Sequence, residues 1–108
     1  MRYDAFIHRE GSRVLAEFPD CPGCQTFASS ERALHARALE ALEGWLETHL
    51  EHGEVPPLPR VHRGENMIQV SIDPSLAVRI QIRRARAASK LTQGDLAQRA
   101  GEDRWHGN

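Results

Sequence analysis

The sequence predicts an α+β fold. It has a three-stranded antiparallel meander, one packed helix and a fourth strand (β-β-β-α-β), followed by a C-terminal two-helix appendage. Three observations predict it. Short segments punctuated by Gly and Pro open the chain. A long amphipathic stretch follows, with serines before it and a glycine after it. A lone alternating segment at residues 67–72 then precedes a basic helical tract.

Each element carries its own signal. Residues 2–8 alternate, with Tyr3, Ala5 and Ile7 on one side and Asp4, Phe6 and His8 on the other. Glu10-Gly11-Ser12 is a hairpin turn, Gly11 supplying the left-handed conformation, and residues 13–18 (RVLAEF) return as the second strand. Residues 19–23 connect to a short third strand at residues 24–28. Ser29 or Ser30 caps the next helix, and Glu31 complements the positive end of its dipole. Leu34, Ala38, Ala41, Leu42, Trp45 and His49 share one arc of that helix, widened by Leu39, Leu46 and Leu50. Gly53 ends it, and Pro56-Pro57 forbid continuation. Residues 55–64 (VPPLPRVHRG) read as a stiff, extended linker. In the fourth strand Ile68, Val70 and Ile72 alternate with Gln69 and Ser71. Asp73 and Pro74 open a basic helix at residues 76–90, with Leu76 and Ile80 inward and Val78 and Ile82 to the side. Thr92 caps a last helix whose Leu96 and Ala97 face inward. The expected units are residues 1–72, an α+β domain, and residues 73–108, a C-terminal segment.

The 108 residues suit one small domain with an appendage. No run of about 18 apolar residues exists, so no membrane span is expected. The charged N-terminus lacks a signal-peptide core, so the cytoplasm is the expected compartment, with both cysteines reduced. The net charge of −1 hides an asymmetry. Residues 1–59 hold five Arg against ten acids, and residues 60–108 hold nine Lys and Arg against five acids. An acidic front and a basic tail suggest two different partner surfaces.

No catalytic residues, metal ligands or cofactor are expected. Cys21-Pro-Gly-Cys24 has the C-x-x-C spacing, but no second ligand pair follows, and the first Cys precedes a strand rather than a helix. The pair reads as a Pro-Gly turn with two packed apolar side chains. Asp4, Glu17 and Asp20 are the carboxylates in or near the sheet, and nothing in their spacing makes them converge on a metal. His8, His35 and His62 are scattered single residues; His35 and His49 sit on the helix rim. Gly44 lies inside the helix at a cost of about 1 kcal/mol relative to Ala, and a close approach beside Trp45 would account for it.

Two features carry functional readings. Residues 91–101 (LTQGDLAQRAG) resemble the second helix of a DNA-binding helix-turn-helix preceded by a basic helix. Arg83, Arg84, Thr92, Gln93 and Arg99 are then the candidate DNA-backbone contacts. Only seven residues, EDRWHGN, follow Gly101, too few for a recognition helix, so salt-sensitive and sequence-poor DNA binding is expected at most. Glu40, Glu43, Glu47 and Glu51 form an acidic stripe on the first helix. A solvated helix face is its ordinary meaning, and a docking surface for a basic partner is its functional one.

Several segments taken together resemble one family. MRYDAFIHRE, then EFPDCPGCQTFASS, then an Ala/Leu/Glu-rich helix ending HGEVPPLP, then a strand before a helix-turn-helix, are similar to HicB-type antitoxins of type II toxin–antitoxin systems. The resemblance covers residues 1–72 well and residues 73–101 as a shortened C-terminal module. It implies a partial ribonuclease-H-like fold and a non-enzymatic role: binding a small, basic, RNA-cleaving HicA-type toxin and blocking its RNA-binding and active surface. The stripe Glu40, Glu43, Glu47 and Glu51 becomes the candidate toxin-binding surface. Weak operator DNA binding would accompany it. The alternative is a DNA-binding transcriptional regulator whose N-terminal domain is an oligomerisation core. A homodimer or homotetramer is expected, through strand edges or the C-terminal helices.

Overall fold

The computed structural model describes residues 1–106, with side chains described over residues 1–90. Four antiparallel strands form one sheet: β1 (Arg2–Glu10), β2 (Arg13–Glu17), β3 (Gln25–Ala28) and β4 (Met67–Ser71), in the order β3-β2-β1-β4. The helix α1 (Glu31–Glu51) packs on one face, and α2 (Pro74–His106) follows β4. The α+β class and the β-β-β-α-β order expected from the sequence are what the chain adopts.

The hairpin between β1 and β2 turns at Gly11, whose φ of 62° is the left-handed conformation that a residue without Cβ adopts freely. In register, Tyr3 pairs with Val70 and Ala5 with Ile68 across β1–β4, while Val14 pairs with Ala28 across β2–β3. Alternation then sorts the two faces. Tyr3, Ala5, Val14, Ala16, Ala28 and Val70 are buried beneath α1. Phe6, His8, Arg13, Leu15, Glu17 and Phe27 point to the other side.

Ser30 caps α1, its Oγ accepting the Ala33 N–H at 3.2 Å. Beyond the helix, Gly53 takes a φ of 75° and donates its N–H to the Leu50 carbonyl. The buried line along α1 is Leu34, Ala38, Leu42, Leu46 and Leu50. Leu34, Ala38 and Leu42 lie where the expected arc had them, while Leu46 and Leu50, expected only to widen it, are buried in place of its other members Ala41, Trp45 and His49. Spacing of four drifts by about 40° per step on a helix of 3.6 residues per turn, so the line follows the twist of the sheet rather than one fixed arc. Trp45 and His49 end on a half-buried flank, stacked with ring centroids 3.8 Å apart.

The C-terminal segment departs from expectation. A turn near residues 90–92 was expected between two helices, but the backbone is helical from Pro74 to His106. Residues 86–93 contain no Gly or Pro, so nothing local stops the helix, and the capping signal of Thr92 is overridden. Leu76 and Ile80 are buried against the domain and Val78 and Ile82 are exposed, as the sequence pattern has them.

Candidate functional site

The acidic stripe on α1 is split by α2. Glu43 Oε2 accepts the Asp73 N–H at 2.9 Å, and Glu47 Oε1 lies 3.4 Å from Arg79 Nη1. These two carboxylates hold the start and first turns of α2. Asp73 in turn caps α2. Its Oδ1 accepts from both the N–H and the Oγ of Ser75, and the side-chain bond chiefly holds its carboxyl below the usual range. Glu40 and Glu51 remain exposed, with no ion-pair partner among the described residues. The stripe therefore exists as a face, but only its outer members are free for another molecule.

The candidate DNA contacts are likewise engaged within the chain where their side chains are described. Arg83 Nη2 donates to the Leu50 carbonyl at 3.4 Å, meeting the negative end of α1. Arg84 Nη1 donates to the Pro56 carbonyl at 3.2 Å. Both are half-buried. The side chains of Thr92, Gln93 and Arg99 lie outside the described residues. Arg83 also lines an open groove with Leu50, Glu51, Arg79, Ile82 and Arg86.

Residues 55–64 do more than link. They run as an extended strap pinned by two aspartates, Asp4 in β1 and Asp20 in the connection from β2 to β3. Asp4 Oδ2 accepts the His62 N–H at 2.9 Å. Asp20 Oδ2 accepts the Arg60 N–H at 2.9 Å, and Asp20 Oδ1 lies 2.9 Å from His62 Nε2. Tyr3 Oη donates to the Pro57 carbonyl at 2.7 Å. Asp4 is the buried charged residue of the sheet, 5% exposed, and the strap is what satisfies it. His62 also stands edge-on to Phe6, centroids 6.0 Å apart. Sequence reasoning treated Asp4, Asp20 and His62 as separate residues. The one local signal was an aspartate inside an alternating strand, a position that needs a partner when covered. Glu17 is exposed and does not join them.

Cys21 and Cys24 are free and buried. The Cys24 N–H donates to the Cys21 carbonyl at 2.9 Å across a turn in which Gly23 has a φ of 86°. Burial pushes the Cys21 thiol up to about 12, helped by the neighbouring Cys24 and Asp20, and pushes Cys24 up to about 11. Thiols so held are protonated and poor nucleophiles at neutral pH, which matches the packed-turn reading of the motif. Burial likewise raises the Tyr3 hydroxyl. Among the described residues, no three His, Cys, Asp or Glu side chains converge to hold a metal ion. No described helix is long and apolar enough to cross a membrane. At Gly44 nothing among the described residues, apart from its chain neighbours and its own helix backbone, comes within 4 Å of where a Cβ would sit, so none of these residues requires the glycine.

A four-stranded sheet with one helix-covered face, a pinned strap and charged helix surfaces defines a small α+β domain. Solved structures place that fold. A chain of a HicA3 and HicB3 toxin–antitoxin complex matches with 24% identity and a TM-score of 0.59, over 68% of this chain and 100% of that one. The N-terminal domain of the antitoxin HicB from Burkholderia pseudomallei matches with the same identity and TM-score, over 68% of this chain and 99% of that domain. No protein-family model and no curated protein matches the chain. The fold is that of the HicB antitoxin N-terminal domain.

Proposed function

We propose that this protein is an antitoxin that binds and neutralises a small RNA-cleaving toxin of the HicA type by covering its RNA-binding and active surface. The observation that carries the reading is the fold match, which spans essentially the whole of a HicB N-terminal domain and includes a chain from a toxin–antitoxin complex. Charge supports it. A protein that grips RNA presents a positive surface to phosphate, and the front of this chain carries twice as many acids as cations. The stripe Glu40, Glu43, Glu47 and Glu51 is the proposed toxin contact. Glu40 and Glu51 lead it, because Glu43 and Glu47 already hold α2. The role is binding, not catalysis, and the cytoplasm is its proposed place.

Operator binding has less support. Arg83 and Arg84 spend donors on the Leu50 and Pro56 carbonyls. Reversing charge at Glu40 and Glu51 together should slow association with a HicA-type toxin and flatten its salt dependence, read by stopped-flow binding at two ionic strengths. Unchanged rates at both would move the contact off α1.

A further inference from the structure

The strap closes over two buried acids. Asp4 is 5% exposed, and the Asp20 side chain is 7% exposed. Burying an ionised carboxylate is costly unless a cation or several donors meet it. Among the described residues, no Arg or Lys forms an ion pair with either. Arg84 of α2 and Arg60 line the same open pocket as Asp20, but Arg84 Nη1 donates to the Pro56 carbonyl and Arg60 gives Asp20 its backbone N–H. Nearby on the outer face, Arg2 of β1 donates to Gln69 of β4, and His8 of β1 and Glu17 of β2 are exposed. His62 is what both acids share. Its N–H meets Asp4 and its Nε2 meets Asp20, each at 2.9 Å.

A neutral His62 ring donates one hydrogen bond to Asp20 and brings no charge. The imidazolium makes the same bond charge-assisted, roughly twice as strong, and sets a cation beside the two acids. The strap is closely seated there. A Cβ at Gly64 would come within 2.9 Å of Phe6 Cε1, so the end of the strap lies directly on the Phe6 ring.

We propose that Asp4, His62 and Asp20 form a proton-operated latch. A protonated His62 holds the strap against the sheet, and loss of that proton loosens it. Histidine is the side chain that ordinarily changes charge between about pH 5 and 8. Tyr3 and Cys21, which lie beside Asp20, are held protonated well above that range by burial. The latch controls cover: a loosened strap bares Phe6 and the β1–β4 half of the outer sheet face. It is independent of the toxin-binding reading, which uses α1. A second histidine contact stands where the strap begins, His49 Nε2 to Glu54 at 3.3 Å, but the Glu54 side chain is 59% exposed and water screens the pair.

Amide hydrogen exchange of the full chain, corrected for the intrinsic rate at each pH, tests the latch. The Arg60 and His62 N–H groups donate to Asp20 and Asp4 and so report the closed strap. Their protection should be about fivefold or more greater at about pH 6 than at about pH 8. His62→Gln keeps a side-chain donor but carries no charge, so its protection should be equal at the two pH values. Asp20→Asn removes the acid instead and should shrink the difference. His49→Gln should keep the wild-type difference. Equal protection in the wild type at both pH values, a full difference persisting in His62→Gln or Asp20→Asn, or its disappearance in His49→Gln would overturn the latch.

Discussion

The two helices are held by different physics. α1 lays five buried side chains along the sheet and caps its N-terminus with Ser30. Among the described residues, α2 packs on the domain through Leu76, Ala77 and Ile80, and four polar contacts add to these: Glu43 to the Asp73 N–H, Arg79 to Glu47, Arg83 to the Leu50 carbonyl and Arg84 to the Pro56 carbonyl. The strap belongs with α2, since Asp4 of β1 and Asp20 of the β2–β3 connection pin it through polar contacts. Charged residues that look free for partners in the sequence are spent here on the chain's own architecture.

Breaking the apolar packing of α1 should have the largest effect. Leu42 is fully buried in the middle of α1, so Leu42→Ala should cost about 2–5 kcal/mol in urea unfolding. A loss below about 1 kcal/mol would mean that α1 is not the keystone of the core.

The buried thiols give the next effect, through pH. Their folded pKa values are raised from an ordinary 9.0 to about 12 and about 11. The folded state therefore holds protons that the unfolded state releases. Stability from these groups is complete below about pH 9 and is lost as pH climbs through 11 to 12. The thermal midpoint should fall over that range, and a double Cys→Ala variant should lose part of the fall. At pH 8 neither thiol should react with Ellman's reagent until the protein is unfolded. Rapid native labelling would show the turn to be open.

Removing a polar latch should cost less. Asp4→Ala strands the His62 N–H and should destabilise by about 1–3 kcal/mol, with the Phe6 and His62 ring resonances shifting together. Arg79→Gln should sit at the bottom of the scale, under about 1 kcal/mol, because both partners are exposed. The same variant frees Glu47, so association with a HicA-type toxin should quicken while stability barely moves.

What could be read from the sequence follows the same division. Strand alternation, the Gly11 turn, the Ser30 cap and the stop at Gly53 are local signals, and the structure has each of them. The strap's anchors are not local: Asp4 and His62 are 58 residues apart, and Asp20 and His62 are 42 apart. No periodicity links them, so they read as a linker and scattered carboxylates. Arg83 and Arg84 could be recognised as basic, but their acceptors are backbone carbonyls that exist only once α1 has ended and the strap has turned. The missing turn in α2 is a different case. The expected helix-turn-helix rested on resemblance, while the residues between its two helices contain nothing that breaks a helix.

Function is tested most directly by mixing the purified full chain with a HicA-type toxin and following RNA cleavage. An antitoxin forms a stable complex with the toxin and suppresses cleavage at stoichiometric ratio, with Glu40 and Glu51 charge reversal weakening both. Undiminished cleavage at a several-fold excess of this protein, with no complex on gel filtration, would contradict the antitoxin function.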